Sequence, residues 1–266
     1  MDLYNPDGSV DVGKLLRGKW PGISPFMVKL AKKILREDFM NAYFVQGYEG
    51  VDFCTHSFDY LNVKIEAVGL DKIPKDGRYT FASNHPLGGI DGVGICGVIG
   101  EYFDGNIRFL VNDFLMAIKG LAPLEVPVNK VGAQSRTLSQ DMDNLFNSDH
   151  QVVIFPSGKC SRKIDGKIQD PEWKKAFITR SVQSKRDIVP VHFYGRNSWR
   201  FYMMDSIGKL IGVDSLAMAF LPDELYRGQG KSFKVVFGDP IPYTTFDNSK
   251  KPIEWAKWVR EKAYSL

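Results

Sequence analysis

Beyond Val63 the sequence switches repeatedly between two rhythms, and that alternation limits the available folds more than any other feature. Runs rich in β-branched and aromatic residues (Val63–Val68, Tyr79–Ala82, Ile107–Val111, Val152–Phe155, Ile188–Tyr194 and Phe233–Phe237) are separated by stretches with helical spacing (Gly92–Phe103, Gln134–Phe146, Glu172–Ser184 and Pro252–Tyr264). Strands separated by helices pair mostly in parallel, because a parallel neighbour needs a crossover long enough to hold a helix. The expectation for residues 63–266 is therefore an α/β domain, with a mixed, mostly parallel central sheet flanked by helices. Residues 1–62 precede it as an N-terminal helical appendage. There, Ser24 and Pro25 read as an N-cap followed by proline at the first helical position. Met27, Leu30, Ala31, Ile34 and Leu35 then recur at helical spacing, with lysines on the opposing arc. No flexible linker marks the boundary near Asn62, so the two parts are expected to pack as one body.

Composition closes several doors. The 266 residues are 44% hydrophobic and 25% charged, which is ordinary globular usage. Cys54, Cys96 and Cys160 lie far apart and form no C-x-x-C pair, which argues against a zinc ribbon or a disulfide scaffold and suits a reducing compartment. A net charge of +4 is too small to imply nucleic acid. No run approaches the roughly eighteen apolar residues that cross a bilayer, and the first residues have neither the basic start nor the apolar core of a secretory signal. The expected location is therefore cytoplasmic. Charge is uneven, however: Val12–Arg36 holds seven basic residues and no acidic one.

The stretch Ser83-Asn84-His85-Pro86-Leu87-Gly88-Gly89-Ile90-Asp91 ends a strand and opens an apolar helix. Residues at the carboxyl end of a strand in an open α/β sheet face the crevice where ligands bind. A histidine there acts as general base on a hydroxyl when a carboxylate holds its other ring nitrogen. The competing reading makes Asn84 and His85 turn formers and Asp91 the cap of the helix at Gly92. A second strand-and-turn, Val152 to Lys163, carries Ser157, Gly158, Lys159 and Arg162, cations suited to a phosphate or carboxylate. It is not a phosphate-binding P-loop, because Val153 stands where that motif needs glycine.

These segments together resemble the glycerolipid acyltransferase family, which includes lysophosphatidic acid acyltransferases. Asn84-His85…Asp91 is followed by Phe155-Pro156-x-Gly158, then Val189-Pro190-Val191, then Val236-Phe237-Gly238-Asp239-Pro240-Ile241. Four motifs in order, spanning about Val63 to Pro242, are more specific than any one. The resemblance implies that His85 deprotonates an acceptor hydroxyl, that Asp91 orients it, and that the hydroxyl attacks an acyl thioester without a covalent enzyme intermediate. No G-x-S-x-G elbow competes with that mechanism. Backbone amides at Gly88 and Gly89 are candidate oxyanion donors. Lys130 or Arg136 would stand in for the family's basic acceptor-binding motif, with Asn84, Ser157, Gly158, Lys159 and Arg162 completing the substrate contacts.

Two departures matter. The family spaces its histidine and aspartate by four residues, whereas five stand between His85 and Asp91. On a continuous helix one extra residue turns the carboxylate by about 100°, so the pair requires Pro86–Gly89 to form a loop. Ser157 and Cys160 also replace the family's glutamate and arginine, which bears on the acceptor more than on the reaction. The acceptor is read as lysophosphatidic acid or a lyso-amino-acid lipid.

Rival readings remain. Gly92-Val93-Gly94-Ile95-Cys96-Gly97 matches G-x-G-x-x-G and raises a dinucleotide-binding oxidoreductase, though the fingerprint should follow its strand at once. A catalytically inactive lipid-binding protein is another. Asp52, Cys54, His56 and Asp59 match no zinc spacing, so no metal is expected, nor any cofactor beyond an acyl-CoA or acyl-carrier-protein donor. The helix after Pro25, with Trp20, Phe26, Phe39 and Phe44 nearby, is the candidate peripheral membrane contact. Phe114-Leu115-Met116 would line an acyl channel.

Overall fold

The alternation in the sequence becomes a sheet whose strand ends are stitched by helices. The structure is a computed structural model that describes residues 5–111, 118–127, 135–213 and 216–266. Strands β1 (Lys64–Val68), β2 (Tyr79–Ser83), β3 (Ile107–Val111), β4 (Glu125–Pro127), β5 (Gln151–Ile154), β8 (Asp187–Tyr194) and β9 (Ser232–Phe237) form a sheet in the order β1-β9-β8-β2-β5-β3-β4. Every pairing is parallel except β8 with β9. A short antiparallel hairpin, β6 (Arg162–Ile164) and β7 (Lys167–Gln169), stands apart from it.

Alternation along the central strands sorts two cores. Phe81, Val153 and Val189 point to one face, and their neighbours Ala82, Ile154 and Ile188 point to the other. On the first face lies α5 (Ile90–Tyr102), backed by α4 (Gly50–Leu61). On the second lie α7 (Ala176–Gln183) and α10 (Pro252–Tyr264), with α6 (Ser135–Asn147) at the edge. The expected mixed, mostly parallel α/β architecture is therefore what forms.

Residues 5–62 hold four helices: α1 (Val12–Lys19), α2 (Pro25–Ile34), α3 (Glu37–Phe44) and α4. Helix α2 begins where its sequence predicts, with the Ser24 hydroxyl accepting from the Met27 amide at 3.2 Å and Pro25 in the first turn. Tyr43, Phe53 and Leu61 of this front segment share one apolar core with Phe81, Ile95 and Phe237 of the body. Two further helices, α8 (Trp199–Leu210) and α9 (Leu221–Arg227), follow β8. Among the described residues no helix is long and apolar enough to cross a membrane.

The glycines of the G-x-G-x-x-G match lie inside α5 rather than at a strand–helix turn. A Cβ on Gly97 would sit 2.6 Å from the Phe58 ring, and one on Gly94 would sit 3.3 Å from Phe193. These glycines let α5 approach α4 and the sheet, which is why the dinucleotide reading fails. Likewise Cys54 is buried while His56 lies at the surface, stacked 3.9 Å from Tyr48, so the α4 residues form no metal cluster.

Candidate active site

The central strand β2 delivers the site. It lies between β8 and β5, so the residues leaving its carboxyl end sit over the middle of the sheet. Asn84 comes first, and it is spent on structure. Its amide donates to the Phe193 carbonyl at 3.0 Å and its oxygen accepts from the Phe193 N–H at 2.7 Å, extending the β2–β8 ladder by one rung. Buried and tied to Phe193 through both amide atoms, it is not part of the cavity lining and pins β2 to β8 instead of meeting substrate.

The chain then turns through Pro86–Gly89 before α5 starts at Ile90. Gly88 adopts φ +76°, a conformation that glycine alone takes at little cost, and a Cβ there would meet Leu221 at 2.9 Å. This loop absorbs the extra residue of the His–Asp spacing. His85 Nδ1 and Asp91 Oδ2 lie 3.0 Å apart. The same carboxylate oxygen accepts from the Leu87 amide at 2.8 Å, while Oδ1 accepts from the Gly92 amide at 2.9 Å. Asp91 therefore holds the imidazole, whereas the cap position of α5 falls to Gly89, two residues earlier, because the helix begins at Ile90.

Burial is the largest single influence on His85 and pushes its pKa down; the charge and hydrogen bond of Asp91, aided by Asp170 and opposed by Arg162, outweigh it and raise the net value. For Asp91, burial pushes up, but His85 and the Leu87 and Gly88 amides prevail and hold the carboxyl below its ordinary range. Of the two expected oxyanion donors, Gly88 adds to the lowering of the Asp91 pKa and Gly89 stands immediately before α5. With Nδ1 on the carboxylate, Nε2 is the nitrogen free for chemistry; no described residue bonds it.

Two further residues support His85. Phe155 stacks on the imidazole, ring centroids 4.0 Å apart, and it comes from the Phe-Pro motif at the end of β5. Asp170, buried after β7, accepts the His85 backbone N–H at 3.2 Å, the Ser161 hydroxyl at 2.6 Å and the Trp173 indole N–H at 3.0 Å. It ties the histidine loop to the 155–162 loop. An isolated aspartate between a hairpin and a tryptophan gives no sequence signal for this.

The 155–162 loop is divided in its duties. The Ser157 hydroxyl is buried and donates to the Lys159 carbonyl at 2.7 Å, so Ser157 closes the turn instead of binding a ligand. Arg162 is 5% exposed, bonds Asp205 through Nε at 2.7 Å and lies over the Phe201 ring. It lines the cavity but its charge is already matched. The exposed cations at the rim are Lys159 and Lys174, beside Gly158. Lys130 and Phe114-Leu115-Met116 lie outside the described residues. Arg136 falls in α6, and its side chain also lies outside them.

His85 opens onto an apolar cavity of about 350 Å³. Its lining includes Phe39, Tyr43 and Phe44 of α3, Phe53 of α4, Val93 of α5 and Leu225 of α9. Ile154, Ala176 and Phe177 also line it. Phe39 and Phe44 thus belong to the cavity wall and core, not to an outer membrane-facing surface as expected.

A base with a carboxylate partner, set where an apolar cavity meets the strand ends, is the constellation of an enzyme that activates a hydroxyl beside a long apolar group. The chain belongs to the acyltransferase family whose model it matches over residues 16–266. It is 46% identical over 264 residues to a lyso-glycine lipid O-acyltransferase of Bacteroides thetaiotaomicron, covering 97% of each chain. A protein with the same description from Phocaeicola vulgatus is 42% identical, with 97% of this chain and 95% of that one covered. The fold is that of the 1-acyl-sn-glycerophosphate (LPA) acyltransferase of Thermotoga maritima, at a TM-score of 0.51 and 18% identity, covering 96% and 88% of the two chains.

Proposed function

We propose that the protein transfers a fatty acyl group from a carrier thioester to the hydroxyl of a lyso-glycine lipid. His85 Nε2 takes the hydroxyl proton, and the alkoxide attacks the thioester carbonyl. The tetrahedral oxyanion, met by the Gly89 amide, collapses by expelling the thiolate, which recovers the proton from the imidazolium. The products are an ester and a free thiol, and no cofactor enters the balance. Asp91 stabilises the imidazolium while it exists. The apolar cavity at His85 suits an acyl chain, and Lys159 with Lys174 at the rim suit an anionic headgroup or carrier.

The observation that carries this reading is the His85–Asp91 contact at the mouth of an apolar cavity. The lyso-glycine acceptor is favoured over lysophosphatidic acid because both near-full-length relatives bear that description. Purified enzyme, offered lyso-glycine lipid or lysophosphatidic acid with acyl-carrier protein or acyl-CoA donors, is expected to yield the diacyl glycine lipid by mass spectrometry. Product from lysophosphatidic acid alone would move the acceptor; product from neither would remove the reaction.

The lipid acceptor calls for peripheral attachment, proposed to be at the cytoplasmic face. Phe26 (73% exposed), Met27 and Leu30 stand out from α2 beside exposed Lys29 and Lys33. Lys32 is taken by Asp11 at 3.2 Å and Glu37 at 2.8 Å, so it is not one of the lipid-facing cations. Cosedimentation with anionic liposomes at low salt is expected to fall in Lys29→Glu/Lys33→Glu, each cation contributing about 1 kcal/mol.

A further inference from the structure

Helix α8 is apolar on two sides. Its inner side, Phe201, Tyr202 and Gly208, is buried. Its outer side carries Trp199 (68% exposed), Met203, Ile207 and Leu210 (86% exposed), which fall within one arc at i, i+4, i+8 and i+11. A helix apolar all round is ordinarily covered all round, and a contiguous exposed apolar stripe on a soluble surface marks a contact site. Nothing among the described residues covers this stripe.

Three further features say what does. Between Tyr194 and Val213 the charged residues reaching the surface are Arg196, Arg200 and Lys209. The one acid there, Asp205, is buried against Arg162 and Lys209. Over these residues the exposed, unpaired charge is that of Arg196 and Arg200, with Lys209 paired to Asp205. A tryptophan stands at its start, with the Arg200 guanidinium 5.9 Å from its ring, a pairing suited to a water–hydrocarbon boundary. Finally, α8 packs on residues 216–220, which pack on α9, the helix whose Leu221 and Leu225 wall the cavity. Asp223 of α9 is also paired with Arg36, in the corner between α2 and α3.

We propose that the outer face of α8 is a second lipid-contact surface, lying in the headgroup region of an anionic bilayer and flanking, with α2, the α9 wall of the cavity. This rests on the lysolipid acyltransferase reading. Attachment at two points tied to that wall holds the cavity against the surface from which the acceptor comes, whereas one helix alone leaves the body free to swing.

The test uses the full chain with phosphatidylglycerol–phosphatidylethanolamine vesicles. Met203→Glu/Ile207→Glu is expected to lower the vesicle partition at least about tenfold, while Met203→Leu/Ile207→Leu retains it. Brominated lipids are expected to quench a component of the tryptophan emission that Trp199→Phe lacks. Turnover of a short-chain, monomerically dissolved lysolipid should be unchanged in the glutamate variant, which shows that the fold and site survive. Unchanged partition together with identical quenching in Trp199→Phe would overturn the proposal. So would wild-type dimers that become monomers in the glutamate variant while vesicle binding persists, because a second copy would then own the face. A wild-type protein that binds vesicles through this face but acylates no lysolipid would remove the reaction and leave the surface standing.

Discussion

The two ends of the central sheet both bury charge, and they treat it in opposite ways. At the amino end of the parallel strands sits Arg186, fully buried, donating to the carbonyls of Phe146 at 2.6 Å, His150 at 2.7 Å and Tyr79 at 3.3 Å, and also to Ser148. Arg78 adds a bond to the Ser184 carbonyl at 2.8 Å. Burial, and then the neighbouring Arg78, push the Arg186 pKa down to about 10. At the carboxyl end sit His85 and Asp91, where the carboxylate is saturated by amides and the imidazole is not. The same physics, satisfying a buried charge by fixed dipoles, makes a rivet when it is complete. It makes a catalyst when one ring nitrogen is left facing a cavity.

The largest test of that contrast is His85→Ala. A positioned general base supplies typically 10²–10⁴-fold in rate, so transfer should fall by about that factor with an unchanged melting temperature. A matching loss of stability would mean that the histidine is a rivet too. Asp91→Asn comes next. Asp91 holds the His85 pKa above 6.5, and a base works only when neutral, so wild-type activity should be lost as pH falls through that raised value. Removing the charge moves this acid limb to lower pH, while the loss of imidazolium stabilisation lowers the plateau. A limb that stays in place would show that Asp91 serves the α5 turn alone.

Arg186→Met probes the other end. It leaves several buried carbonyls unpaired, at about 3 kcal/mol or more for hydrogen bonds to a charged group. At roughly 2–4 °C per kcal/mol for a chain of this size, the melting temperature should drop by about 6–12 °C with kcat per folded molecule unchanged. Altered kcat at equal folded fraction would break the division between the two ends.

The carboxyl end was the more legible in sequence, because catalysis restricts residue types more tightly than packing does. His85, Asp91 and the glycine hinge announced themselves as a strand end beside an apolar helix, and the need for a loop at Pro86–Gly89 followed from helical geometry. The duties of Asn84, Ser157 and Arg162 did not. Each has the chemistry to bind substrate, and only the fold shows that Phe193, the Lys159 carbonyl and Asp205 have claimed them. The hairpin β6–β7 was within reach, since its turn is Asp165-Gly166, both residues at positive φ. Helix α8 was hidden for a different reason: with apolar residues on two sides, it lacks the one-sided pattern by which a helix is read.

The smallest expected effect separates the cations of the rim. Arg162 is held by Asp205, whereas Lys159 and Lys174 are exposed beside the cavity. Exposed charges contribute about 0.2–1 kcal/mol each, so Lys159→Ala/Lys174→Ala should raise KM for an acidic lysolipid by roughly twofold to thirtyfold and leave kcat alone. The difference should shrink in high salt, which screens exposed charge over about 3 Å at 1 M, and vanish for an acceptor whose carboxyl is methyl-esterified. If the esterified acceptor loses as much as the free acid, the two lysines meet the acyl donor's carrier instead. The headgroup would then lie elsewhere along the cavity, with Arg162 still bound to Asp205 in either case.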